Sequence, residues 1–154
     1  MKIIRTKPTV YVMIGPAGSG KSTWLKNNLG PNFPITSKDS IREDLGVIGP
    51  DGKKKVGTRE QENKVSEIQE EQINNFLKKH VDFAIDNTNL GKSLEKLLGK
   101  LRKFDVFVVG VKIYTPLPTL IQRRPEIPRE VLEDMFRKSQ RIDSRLFDKF
   151  IEVK

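Results

Sequence analysis

The feature that limits the fold most is a junction near the N-terminus, where TVYVMIG at 9–15 runs into GPAGSGKST at 15–23. The first stretch is a nearly continuous apolar and β-branched run, the pattern of a parallel strand covered on both faces. The second satisfies G-x-x-x-x-G-K-[ST] through Gly15, Gly20, Lys21 and Ser22. Glycines let the backbone turn tightly, so that successive N–H groups point at one phosphate chain. The helix that follows adds its positive N-terminal end. Lys21 can reach the outer phosphates and the Ser22 hydroxyl can ligate Mg²⁺. Gly15, Gly18, Ser19, Gly20, Lys21, Ser22 and Thr23 are therefore the candidate donor-phosphate residues, with Ser22 the candidate metal ligand. Pro16 lacks an N–H, and an outward-facing position in the loop would need none.

The rest of the chain alternates strands and helices, which predicts one α/β domain over 1–154 with a parallel sheet between helix layers. A helix is expected over 21–29, stopped by Gly30-Pro31. FPIT at 33–36 reads as a weak strand and 37–45 as a helix start. GVIGPDGKKKVGT at 46–58 reads as a loop by its glycines, proline and lysines. Thr58 opens the clearest helix, because T-R-E-Q has capping-box spacing and apolar residues recur from Val65 to Leu77. VDFAID at 81–86 is the next strand, 93–104 a helix and 105–114 a longer strand. Thr115-Pro116 has the form of an N-cap followed by proline, opening a helix to Arg124. A break at RRPEIP precedes a last helix from Arg129, and FIEV at 150–153 reads as a closing strand. Phe76, Phe83, Phe104, Phe107 and Trp24 are expected in the core, and His80 is expected as a dipole partner at a helix end.

Twenty-nine Lys and Arg against 20 Asp and Glu leave a net charge of +9. No acidic residue precedes Asp39, and residues 92–103 carry five cations against Glu95 alone. Such a balance suits a polyanionic partner through phosphate neutralisation, or simply a soluble basic surface. The Lys53-Lys54-Lys55 run suits either a solvated loop or a nucleic-acid backbone. With no cysteine there is no disulfide framework or thiolate metal site. The longest apolar run, VFVVGV, is far short of the roughly 20 residues that span a bilayer. No signal peptide is read at the N-terminus, and a cytoplasmic location is expected.

A phosphate loop alone leaves switches, motors and kinases open. The guanine-reading segment N-K-x-D is missing, since Asn63-Lys64 continues into Val-Ser. A motor normally needs a longer chain. A small kinase remains, which needs a donor site, an acceptor base and arginines to neutralise the transferring phosphoryl group. SKDSIRE at 37–43 supplies Asp39 and Arg42, three apart and so on one helical face. Read alone they are a surface ion pair. One strand beyond the phosphate loop, Asp39 can instead take the proton of an attacking hydroxyl.

Four segments, GSGKSTW at 18–24, SKDSIRE, IDNTNL at 85–90 and RRPEIPREVLEDMFRK at 123–138, together resemble the kinase domain of phage-type polynucleotide 5′-hydroxyl kinases. The resemblance runs from about Val10 to Lys138. It implies a three-layer P-loop kinase fold with a lid, here about 123–129 and shorter than the family's usual arginine-bearing lid, ATP and Mg²⁺ as donor and cofactor, and 5′-hydroxyl ends of DNA or RNA as partner. It implies Asp39 as general base and Arg42 as the contact to an acceptor phosphate. Asp86, Asn87, Thr88 and Asn89 fall at the substrate side. The family pattern there is Asp-Thr-Asn, whereas Asn87 stands before Thr88 here, with Asp86 one place earlier. Arg124, supported by Arg123, is the expected donor clamp, with Arg129 an alternative. The Asp-x-Asp motif of a 3′-phosphatase is missing. A small-molecule kinase and a non-catalytic nucleotide-binding module remain as rival readings.

Overall fold

The computed structural model describes residues 7–47 and 58–154. The lysine run at 53–55 and most of the 46–58 loop lie outside the described residues. Five strands form one sheet: β1 (Thr9–Ile14), β2 (Ile35–Thr36), β3 (Phe83–Ile85), β4 (Phe107–Ile113) and β5 (Lys149–Val153). Their order is β2-β3-β1-β4-β5 and every neighbouring pair is parallel. Six α-helices are present among the described residues: α1 (Lys21–Leu29), α2 (Lys38–Asp44), α3 (Arg59–Lys79), α4 (Lys92–Leu101), α5 (Leu117–Arg123) and α6 (Arg129–Gln140).

The pleat of β1 shows why the layers form. Val10, Val12 and Ile14 enter one core with Ile73 and Leu77 of α3 and Leu94, Leu98 and Leu101 of α4. Met13, with Tyr11 beside it, faces the other core, where Leu25 and Trp24 of α1 pack. Successive strand residues point to opposite faces, so a strand apolar throughout must be covered twice. Gly110 of β4 is required by close approach: a Cβ there would lie 2.7 Å from the Phe147 ring.

The expected caps hold where they rest on side chains. The Thr58 hydroxyl accepts from the Gln61 N–H, and the Gln61 side chain accepts from the Thr58 N–H. Ser37 caps α2 through Ser40 N–H at 3.3 Å. His80 ends α3 in the left-handed region, φ 53°, so its backbone rather than its imidazole terminates the helix.

Four expectations change. Phe104 and Phe107 are 45% and 38% exposed rather than core, because one lies in the turn after α4 and the other at the N-terminal rim of β4. Helix α4 ends at Leu101, three residues before the expected limit. Thr115 does not cap α5, whose N-cap is Pro116. The Thr115 hydroxyl instead donates to the Ser19 carbonyl at 2.9 Å. Pro16 is buried rather than outward-facing, and its carbonyl serves the loop.

Candidate active site

The connection after β1 runs to one side, past β3 to β2, and the connection after β4 runs to the other, to β5, so the order reverses between β1 and β4. Open parallel sheets bind ligands at the carboxyl ends of strands where the order reverses in this way. Residues 15–20 occupy that position between β1 and α1. Gly15 N–H donates to the Thr88 carbonyl at 3.2 Å and Ser19 N–H to the Pro16 carbonyl at 3.2 Å. Gly18 and Gly20 have φ of 82° and 96°, the region glycine enters without a Cβ penalty. At Gly18 a second reason applies, since a Cβ would stand 2.9 Å from Arg124 Cγ.

Helix α1 begins with no side-chain cap and no acidic residue in its first turn. Its orphan N–H groups and positive end face the loop, as anion binding at a helix start requires. The Lys21 ammonium donates to the carbonyls of Gly15 at 3.0 Å and Pro16 at 2.9 Å. Burial lowers its pKa to about 8; Asp86 and then Asp39 pull it back up, and Arg124 adds to the lowering. Ser22 Oγ donates to Asp86 Oδ2 at 2.6 Å. A hydroxyl and a carboxylate in contact are the hard oxygen donors Mg²⁺ prefers, so this set fits a metal-bound nucleoside triphosphate. Ser19 is buried with its hydroxyl unpartnered, and Thr23 lies beside Gly20 on the rim of a smaller cleft of about 550 Å³.

A larger cleft of about 1150 Å³ opens beside the loop, walled by Lys38, Asp39, Arg42, Asp86, Asn87, Thr88, Arg123 and Arg124, with Val131 and Met135 of α6 opposite. The structure therefore brings the residues of SKDSIRE, IDNTNL and RRPEIP to one place. Arg42 NH1 donates to Asp39 Oδ1 at 2.7 Å, the i,i+3 pair. Its other edge is held by Glu62 of α3 through two bonds, 3.0 and 2.7 Å. The Asp39 side chain is 64% exposed and that of Arg42 17%, so the carboxylate is open while the guanidinium is braced. The Glu62 bonds raise the Arg42 pKa further.

The order Asp-Asn-Thr-Asn divides cleanly. Asp86 reaches Ser22. Asn87 instead pairs with the buried Gln69 of α3: its amide donates to Gln69 Oε1 at 2.9 Å and its Oδ1 accepts from Gln69 Nε2 at 3.2 Å. The same Oδ1 accepts from Lys38 N–H at 3.0 Å, fastening the start of α2 next to Asp39. Asn89 is buried outside the cleft wall, with its amide on the carbonyls of Met13 at 2.6 Å and Ile85 at 3.2 Å. It joins the ends of β1 and β3 and is not brought to the cleft. Gln69 is the residue that sequence reading missed. Its signal is a polar side chain at a helical position, 65-69-73, otherwise filled by Val65 and Ile73.

The lid segment is the turn between α5 and α6. Arg123 NH1 donates to the Gly18 carbonyl at 2.9 Å, while Arg124 lies against Gly18 with its Nε on Glu126 Oε1 at 2.9 Å. Arg129 pairs with Glu133 on α6 and is not part of the cleft wall. Among the described residues no group of three or more acidic or histidine side chains could hold a metal by itself, and no helix is long and apolar enough to cross a membrane.

Solved structures repeat this architecture. A chain of the Pnkp1/Rnl/Hen1 RNA repair complex superposes with a TM-score of 0.75 at 19% identity, over 89% of this chain and 45% of that one. This chain thus spans less than half the length of the repair-complex chains it matches. Shikimate kinase from Acinetobacter baumannii, in complex with shikimate, gives 0.56 at 20% identity, covering 97% and 85%. A sugar kinase from Janibacter gives 0.59 at 16% identity, covering 96% and 85%. No curated protein matches the sequence. These likenesses show a P-loop kinase-like α/β fold. The family model described as an AAA domain matches residues 10–142, and the chain belongs to that family.

Proposed function

We propose that the chain is an ATP-dependent polynucleotide 5′-hydroxyl kinase, transferring the γ-phosphate of ATP to a 5′-hydroxyl end of DNA or RNA. The observation that carries this reading is the single cleft in which an open carboxylate, Asp39, stands among Lys38, Arg42, Arg123 and Arg124 beside the phosphate loop. A base for the hydroxyl and several cations for phosphates are what such an acceptor requires. The fold match to a chain of an RNA repair complex and the +9 charge support the same choice.

In this reading the 5′-oxygen forms its bond to the γ-phosphorus as the bond to the bridging oxygen breaks and ADP leaves. Asp39 takes the hydroxyl proton. Lys21 exchanges the carbonyls of Gly15 and Pro16 for phosphate oxygens, which favour its charged form. Arg124, which lies against Gly18, steadies the transferring group, and Arg123 ties the lid turn to the loop. Arg42 offers its fork to an acceptor phosphate, a task a guanidinium performs better than an ammonium. Ser22 would hold Mg²⁺, with Asp86 orienting it and filling the carboxylate role that the Asp-Asn-Thr-Asn order leaves ambiguous. The metal, when bound, neutralises charge on the outer phosphates. Thr88 lines the acceptor side, while Asn87 and Asn89 act as braces. An ATP-fed reaction of this kind belongs in the cytoplasm.

A small-molecule kinase is the second reading, favoured by the superposition on shikimate and sugar kinases. Incubation with γ-labelled ATP and either 5′-hydroxyl oligonucleotides or a panel of small alcohols separates the two. Label is expected in the oligonucleotide. Label in a small alcohol and none in any oligonucleotide would replace the first reading by the second.

A further inference from the structure

One row of charge extends beyond the cleft. Thr88 on the cleft wall and Lys92, the first residue of α4, are four residues apart, so their Cα atoms are at most about 14 Å from each other. Helix α4 turns Leu94, Leu98 and Leu101 into the core. Its opposite face carries Lys92 and Lys96, one turn apart and both exposed. Neither makes an ion pair or hydrogen bond among the described residues. Nearby cations differ: Lys100 is bound to Glu70 at 3.2 Å, and Lys138, whose stem crosses Gly91, to Asp134 at 2.9 Å.

Lys38 connects this face to the cleft. It lines the cleft wall and has no ion pair among the described residues. Burial lowers its pKa, and Arg42 and Lys96 lower it further against the pull of Glu62. Arg42 and Lys96 thus each act on Lys38, and on α4 Lys92 lies one helical turn from Lys96. Glu95, on the flank of α4, is the acidic neighbour on the same element. Arg42 has its carboxylates, but Lys38, Lys96 and Lys92 have no ion pair among the described residues; like charges so placed are unfavourable, and a chain of phosphates reverses the sign of that term.

We propose that Lys38, Lys96 and Lys92 form a phosphate track that receives the acceptor backbone beyond the nucleotide bearing the 5′-hydroxyl. The proposal rests on the polynucleotide reading and adds where the rest of the strand lies. A polyanion entering the cleft at Arg42 meets Lys38 next and α4 after it, so the track fits a strand rather than a lone nucleotide. Each contact of this kind releases counterions and adds to the salt dependence of binding.

The test compares a 5′-hydroxyl dinucleotide with a decanucleotide at several salt concentrations, for the intact chain and for the double variant Lys92→Ser, Lys96→Ser. Both side chains are exposed, so an unchanged melting temperature confirms that the variant folds. The ratio of decanucleotide to dinucleotide kcat/KM is expected to fall about tenfold in the variant. The slope of log KM for the decanucleotide against log salt should drop by about 1.4, as the loss of two single-strand phosphate contacts requires. A variant with the same length ratio and salt slope as the intact chain would overturn the track while leaving the polynucleotide reading intact. Phosphorylation of neither oligonucleotide by the intact chain, with label in a small alcohol, would overturn both.

Discussion

The proposed donor and acceptor sides of the cleft are made from different materials. The donor side is mostly backbone: loop carbonyls hold Lys21 at 2.9 and 3.0 Å, Thr88 holds Gly15, and Arg123 and Thr115 close on the carbonyls of Gly18 and Ser19. The acceptor side is mostly side chain upon side chain: Asp39 on Arg42, Arg42 on Glu62, Asn87 on Gln69. A backbone site recognises a shape common to every nucleoside triphosphate, so a short motif suffices to encode it. A side-chain site is assembled from several elements, and here α2, α3 and the end of β3 must meet before it exists.

That contrast sets the order of expected effects. Asp39→Asn removes the base without changing size, and transfer should fall about 10²- to 10⁴-fold while ATP affinity is largely kept; single-turnover rates and nucleotide titration measure both. An unimpaired rate would remove Asp39 from the chemistry. Arg42→Lys keeps the charge but loses the fork to Glu62 and to phosphate. We expect a rise of roughly tenfold in acceptor KM, with the KM for ATP little moved, read from steady-state kinetics with each substrate varied.

Gln69→Leu should act on both stability and geometry. It leaves the part-buried Asn87 amide without its Gln69 acceptor, which costs about 1 kcal/mol and lowers the melting temperature. Because Asn87 also holds Lys38 N–H, acceptor turnover should fall more than ATP binding does. Gln69→Glu keeps the acceptor for the Asn87 amide but sets a buried carboxylate oxygen against Asn87 Oδ1, and should lose at least as much. A variant that melts earlier but keeps the full rate would show the pair to be structural alone.

The smallest effect expected is a proton. Burial holds Lys21 near 8 in the nucleotide-free fold, below its ordinary value of about 10.4. Between those values the unfolded chain binds more protons than the folded one. Stability should therefore rise with pH through that window, and the cost of the buried ammonium is borne in full below pH 8. A triphosphate against Lys21 favours the charged form. Binding at pH 8 should then take up part of a proton, visible as a dependence of calorimetric heat on buffer ionisation enthalpy. Lys21→Met should abolish both the uptake and the stability slope.

The motif GPAGSGKST and the apolar run before it already specified the central strand, the loop and α1, because local backbone chemistry leaves that stretch few alternatives. The Thr58 capping box and the 3.6-residue period of α3 were equally legible. Less visible were Phe104 and Phe107, whose aromatic character suggested core but whose places at a turn and a strand rim leave them half in water. Thr115 looked like a helix cap and proved to brace the phosphate loop, since Ser19, 96 residues away, is its partner only in space.

By itself the sequence determined a parallel α/β phosphate-loop fold and the residue types of the candidate site. Those depend on neighbours along the chain: glycine freedom, strand period and helix caps. Tertiary structure alone decided that Asp86, not Asn87, reaches Ser22, that Asn87 is bound to Gln69, and that Asp39 is open while Arg42 is braced. The physical reason is that a side chain's role follows from which partner lies within about 3 Å. At the end of β3 those partners come from α1, α2 and α3, which only the folded sheet brings together.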